Sequence, residues 1–259
     1  MHNVIISGSG RSGTSMLAGV LAKAGYFMGD YLYPARESNP KGFYEDPEIN
    51  GINEVLVAQV VPQRPRLLGK WFFRSRPLEG QRWLARVPVG TRIPSLPIIS
   101  ERIQKATQRE PFCFKDPRFS YTLPVWRLFL KNTVFVCVFR DPASTALSIL
   151  KECRDAEYLH SLSVSFQQTL EVWNLMYRHI LDVHRHEGAW LFLHYNQVLS
   201  GEGLERLEDF VDAPVDRSFP DPSLNRSFSD DPVPEEVARV YQHLCEIAEY
   251  EATHEEFQF

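Results

Sequence analysis

The stretch VIISGSGRSGTSML, residues 4–17, decides how the rest of the chain is read. Its first residues form a short apolar run rich in β-branched side chains, and Met16, Leu17, Val20 and Leu21 then recur at helical spacing. A strand, a glycine-rich loop and a helix follow in that order. Such a loop points backbone N–H groups at whatever sits above it, and the helix dipole favours an anion there. The spacing, Gly8 then four residues then Gly13, is that of a phosphate-binding loop. A nucleoside triphosphatase, however, places Lys after Gly13, and here Thr14 stands in that position. The later apolar runs at 133–139 and 190–195 end at Arg140 and Tyr195, so neither supplies the acidic residue that would hold magnesium. The cation has moved inside the loop, to Arg11. The loop suits a less highly charged group, held by backbone amides, Ser12, Thr14, Ser15 and one cation, with no metal expected.

Working outward, FCFK at 112–115, TVFVCVF at 133–139 and WLFLHY at 190–195 read as buried strands. Helical patterns separate them, at 143–156 and 163–187. The alternation predicts an α/β chain of the P-loop type, in three layers, with a central parallel sheet flanked by helices. A length of 259 residues fits one domain, 1–259, interrupted by a segment at about 61–110 that carries Pro62, Pro65, Pro77, Pro88, Pro94 and Pro97. After Pro214 a Pro- and Asp-rich loop leads to a terminal helix with Pro234 near its first turn.

The formal charge of −5 hides an asymmetry: Arg and Lys crowd residues 64–109, and Asp and Glu dominate from Glu202 onward. The basic segment holds Arg64, Arg66, Lys70, Arg74, Arg76, Arg82, Arg86 and Arg92 among Trp71, Phe72, Phe73 and Trp83. It reads either as a solvated face or as a lid over the bound molecule, compatible with peripheral membrane contact; nucleic acid is not expected as a partner. Cys113, Cys137, Cys153 and Cys245 have no metal-ligand spacing and are expected to be buried free thiols. No leader-like or membrane-spanning run is evident, so a cytoplasmic protein is expected. No heptad demands self-association, which leaves monomer and homodimer open.

A second anion site is suggested by VFRDPASTALSIL, residues 138–150: Arg140 follows a strand, and Ser148 lies eight residues on, in a helix with Pro142 in its first turn. A guanidinium fork and a hydroxyl would clamp a second phosphate. At this point the chain resembles the sulfotransferases that use 3′-phosphoadenosine-5′-phosphosulfate (PAPS), of bacterial type. In that family a basic residue followed by S-G-T binds the 5′-phosphosulfate, and an Arg with a Ser eight residues later binds the 3′-phosphate. The resemblance implies nucleotide-binding roles for Gly10, Arg11, Ser12, Gly13, Thr14, Ser15, Arg140 and Ser148, with the bisphosphate PAP as product. FKDPRF, residues 114–119, is similar to the K-D-P segment of protein-tyrosine sulfotransferases, which makes Lys115 a second catalytic cation beside Arg11. NPKGFYEDPEINGINEVLV, residues 39–57, resembles a stretch that offers an acidic residue to the acceptor. Arg226, in SLNRSF at 223–228, corresponds to a late basic loop that reaches the 3′-phosphate in relatives.

Sulfuryl transfer depends on positioning and on charge stabilisation at the departing oxygen. Arg11 and Lys115 are expected to supply that charge, and Glu45, after Gly42, Phe43 and Tyr44, to take the acceptor's proton, with Asp46, Asp30 and His194 as rivals. Phe119 or Tyr195 is a candidate slot for adenine. His160, His179, His184 and His186 read as structural or exposed. The acceptor, whether small molecule, glycan or peptide, offers a hydroxyl or amine and is not identified by the sequence. A small-molecule kinase, or a nucleotide-binding protein without turnover, are the alternative readings.

Overall fold

Successive side chains of a strand face opposite sides of a sheet, and a sheet covered by helices on both sides needs strands that are apolar throughout. The four runs have this character. In the computed structural model, which describes residues 1–65, 69–225, 227–229 and 231–251, β1 (Asn3–Ser7), β2 (Cys113–Lys115), β3 (Thr133–Phe139) and β4 (Trp190–His194) form one parallel sheet, in the order β2-β1-β3-β4. Ile6 is in register with Lys115, Ser7 with Cys137, and Phe139 with His194. The loops that leave these strands therefore open at the same end of the sheet, with the glycine loop after β1 between the other two neighbours. Ligands of open parallel sheets bind at that end.

Helices cover both faces. After β1 come α1 (Thr14–Ala22), α2 (Pro47–Ala58), the short α3 (Gly69–Phe72) and α4 (Pro97–Ala106); α5 (Phe119–Trp126) follows β2. Between β3 and β4 lie α6 (Pro142–Asp155) and α7 (Phe166–His179), and α8 (Tyr195–Ser200), α9 (Glu202–Val211) and α10 (Glu235–Ala248) come last. Val4, Ile6, Val136, Val138 and Leu193 pack on one face against Leu17 and Leu21 of α1 and Leu204 and Leu207 of α9. On the other face Ile5, Phe114 and Phe135 meet Ile52 of α2, Ile103 of α4 and Leu123 of α5. Beside them Cys137, Phe139 and Phe192 meet Trp173 and Tyr177 of α7 and Leu244 of α10.

Local chemistry starts the helices where the site needs them. Asp46 caps α2 by accepting from the Glu48 and Ile49 N–H groups, with Pro47 at the first position. Asp141 caps α6 through the Ser144 N–H, and Ser165 and Gln168 form a reciprocal capping box at α7. The helical pattern at 163–187 yields α7 and then a wider π turn over Ile180–His184. Sequence periodicity does not reveal α5, which has Pro124 inside it, because burial of every residue but Pro124 removes its amphipathic stripe.

In the 61–110 segment several of the basic side chains are held by groups of the protein itself. Arg64 donates to the carbonyls of Arg74, Arg76 and Ser161, Arg74 to that of His160, and Arg76 to that of Gln63. Arg82 pairs with Glu54, and Arg86 with Glu171. These guanidiniums bind the segment to itself and to the body of the molecule. Cys113, Cys137 and Cys245 are buried outside any disulfide, while Cys153 is only half-buried. Among the described residues no helix is long and apolar enough to cross a membrane.

Candidate active site

The loop after β1 is held from three sides. Gly8, at φ +140°, passes so close to β3 that a Cβ would lie 2.3 Å from the Val138 carbonyl oxygen. One residue on, the Ser9 N–H donates to the Tyr177 hydroxyl at 3.1 Å, and that hydroxyl donates to the same Val138 carbonyl at 2.9 Å. Gly13, at φ +96°, has the Tyr195 ring 2.6 Å from where its Cβ would stand. No side chain caps α1 at Gly13. The N–H groups of its first turn are therefore left to a ligand.

A cavity of about 530 Å³ lies over this helix end, lined by Arg11, Thr14, Ser15, Arg140, Ser148 and Tyr195. This volume is within the usual ~300–1,000 Å³ range of small-molecule sites. Arg140 leaves the end of β3 and is buried; its guanidinium lies 4.8 Å from the centre of the Tyr195 ring. Its Nη2 donates to Asn225 Oδ1 at 2.7 Å and to the Ser227 carbonyl. Burial pulls its pKa down, yet a guanidinium stays charged, and among the described residues this desolvated cation forms no ion pair. Arg11 has φ +70°, a strained value for a residue with a side chain. Its Nε donates to Ser148 Oγ at 3.2 Å, its Nη2 to the Ser38 carbonyl at 3.0 Å, and Glu152 lies 3.6 Å from its Nη1.

The loop's far side opens on a second cavity, of about 220 Å³, which also touches Arg11, Thr14 and Ser15. Here the end of β2 brings Lys115 to Glu45: the buried ammonium donates to Glu45 Oε1 and, at 3.1 Å, to Ser15 Oγ. Asn50 donates to the other Glu45 oxygen at 2.7 Å. Behind them Asp116 accepts from Arg118 and Asn53, and Arg118 also meets Glu54. This buried network fixes the turn that carries Lys115, because each charge in it has an opposite partner.

Not all candidates reach the cavities. Ser12 is fully buried and lines neither, so its hydroxyl is not offered to a ligand, although its neighbours' are. Asp46 is spent on the α2 cap and on the Tyr31 N–H, and exposed Asp30 pairs with Arg109. His194 is buried: Nδ1 accepts from the Asn196 N–H, the other nitrogen meets the Tyr241 hydroxyl, and burial pushes its pKa down to about 3. Phe119 is buried in the core against Trp126, which removes it as a slot for adenine, whereas Tyr195 lines the larger cavity. Arg226 lies outside the described residues, and its neighbours Asn225 and Ser227 both touch Arg140. Two contributors go unnoticed in the sequence. Glu152, four residues after Ser148 and so on the same face of α6, was open to detection by spacing; Tyr177 carries no sequence signal, since its role depends on how α7 packs.

Residues 3–217 match the model of a sulfotransferase family. No curated protein matches the chain. Two solved structures resemble it in fold. The sulfotransferase domain of the Synechococcus PCC 7002 olefin synthase is 16% identical, with TM-score 0.53, over 97% of this chain and 95% of that one. A sulfotransferase domain from the curacin biosynthetic pathway is 15% identical, with TM-score 0.52, over 97% and 99% of the two chains.

Proposed function

The chain belongs to the sulfotransferase family, and from that premise we propose that it transfers a sulfuryl group from PAPS to a hydroxyl in the smaller cavity. One observation carries the donor assignment: a helix start with no side-chain cap and a buried Arg140, without an ion pair among the described residues, line the same cavity. Two anionic groups, one at each place, satisfy both. The residues fit the group. The amides at the start of α1 with Thr14 and Ser15 would hold its 5′ end, Arg140 and Ser148 its 3′-phosphate, and Tyr195 would flank the nucleotide. When bound, the donor supplies a sulfuryl group whose bond to the phosphate oxygen breaks as a bond to the acceptor oxygen forms.

The chain's own residues then have distinct tasks. Lys115, beside Ser15, faces the region where charge grows on the departing oxygen, and a cation fixed there stabilises the transition state more than the ground state. Arg11 lines both cavities and offers a second positive charge. Glu45 receives the acceptor's proton, and its contacts with Lys115 and Asn50 hold it in place until then. The charge balance closes: the proton moves to Glu45, the sulfuryl group moves to the acceptor, and the bisphosphate leaves with the electron pair of the broken bond.

A thermal-shift titration tests the donor assignment. Adenosine 3′,5′-bisphosphate without magnesium is expected to raise the melting temperature, because a ligand at 100 times its Kd adds about 2.7 kcal/mol to the folded state. Stabilisation by ATP with magnesium, and none by the bisphosphate, would overturn it.

A further inference from the structure

The smaller cavity carries aromatic side chains on several sides, Tyr33, Phe43, Trp83 and Tyr158, above the Lys115 and Glu45 pair. At about 220 Å³ it is smaller than the ~300–1,000 Å³ of typical drug-sized sites, so it suits a single ring with short substituents. Flat rings around a small space favour a flat guest.

The charges around this space are almost all committed. Lys115 faces Glu45, Arg11 faces Glu152, and Arg118 faces Asp116 and Glu54. Arg36 differs. Its guanidinium lies 5.8 Å from the centre of the Phe43 ring and 5.6 Å from that of Tyr158, and among the described residues it forms no ion pair. Its backbone is fixed by a two-way pairing with Asn39, at 3.3 and 2.8 Å. A planar cation held against two rings at the cavity wall presents its donor fork to a carboxylate. An ammonium group would find no such partner, since both carboxylates lining the cavity already face cations.

We infer that the acceptor is a small hydroxylated aromatic acid, with its ring among Phe43, Trp83 and Tyr158, its hydroxyl toward Lys115 and Glu45, and its carboxylate on Arg36. The inference rests on the sulfuryl-transfer reading above. The phenolic oxygen takes the sulfuryl group and yields its proton to Glu45, so the product bears both an aryl sulfate and a carboxylate.

Three probes of one shape separate the charge requirement: 4-hydroxyphenylacetate, uncharged 4-methylphenol and cationic 4-hydroxyphenethylamine. Their affinities are measured by calorimetry with and without adenosine 3′,5′-bisphosphate, whose own binding is recorded first. The acid is expected to bind at least about tenfold more tightly than 4-methylphenol, as a charge-assisted hydrogen bond implies, and the amine most weakly. Arg36→Gln should bring the acid and 4-methylphenol to equal affinity, and Arg36→Lys should keep part of the difference; Arg36 is exposed, so both variants should melt like the parent. Affinities independent of charge, a preference that survives Arg36→Gln, or no binding of any probe would overturn the inference. Charge-dependent probe binding without bisphosphate binding would instead refute the donor reading and leave the cavity assignment standing.

Discussion

At the scale of single residues, Arg140 and Lys115 illustrate two kinds of cation. Arg140 is buried, stacked on Tyr195, and joined to a side-chain amide and a carbonyl, both neutral acceptors. Among the described residues Arg140 forms no ion pair, which supports the proposal that it binds an anion. Arg140→Ala is expected to weaken binding of adenosine 3′,5′-bisphosphate by roughly 100-fold while reducing that of adenosine 5′-phosphate much less, as calorimetry on the two ligands would read. Equal losses would remove Arg140 from the 3′-phosphate. Lys115 is matched to Glu45, and in the proposed mechanism its charge acts as the leaving oxygen charges up. Lys115→Ala should lower kcat by about 10²–10³ with little change in nucleotide affinity; an unchanged kcat in steady-state assays would exclude it from catalysis.

At the scale of elements, the decisive joint is between α7 and the glycine loop. Tyr177 places one hydroxyl between the Ser9 N–H and the Val138 carbonyl, so a helix from the β3–β4 connection sets the shape of a loop that follows β1. Tyr177→Phe would strip both groups of that partner inside the protein, where an unmade hydrogen bond costs about 1–3 kcal/mol. Lower stability together with weaker bisphosphate binding is expected; lost stability with unaltered affinity, from melting curves and titrations on one preparation, would show that the loop keeps its shape without the hydroxyl. The strands and α1, α6 and α10 were legible because periodicity and caps are local properties. Glu45 was legible as the first of several candidate bases. What separated them was tertiary: Asp46 lay one residue away and became a helix cap, while Glu45 met a lysine from β2.

For the whole molecule, buried histidines are expected to contribute to the response to acid. Burial pushes His184 down to about 4, where its Nε2 pairs with the Ser120 carbonyl, and His194 down to about 3, with its Nδ1 accepting from the α8 backbone. In the unfolded chain both titrate near ~6.5. Below that pH the unfolded state binds protons that the folded state refuses, so their contribution is fully present above about 6.5 and is lost as pH falls toward about 4 for His184 and about 3 for His194. Each histidine adds a slope of at most about 1.4 kcal/mol per pH unit across its window. Chemical denaturation at pH 7, 6, 5 and 4.5 should show stability falling with acid, and His194→Gln should flatten the curve; a pH-independent midpoint would mean that neither imidazole is held neutral.

The chain's local patterns alone determined a parallel sheet, a glycine loop between a strand and a helix with Arg11 inside it, and Arg140 at a strand end with Ser148 in the next helix, since strand alternation, loop chemistry and helical spacing are written in consecutive residues. Only the tertiary structure decided that Lys115 meets Glu45 across 70 positions, that Ser12 is buried, that several of the basic segment's guanidiniums serve neighbouring carbonyls and carboxylates, and that Arg36 lies against two rings with no ion pair among the described residues. The reason is physical: whether a charged side chain is spent or available depends on which groups the fold packs against it, and those groups come from distant parts of the chain.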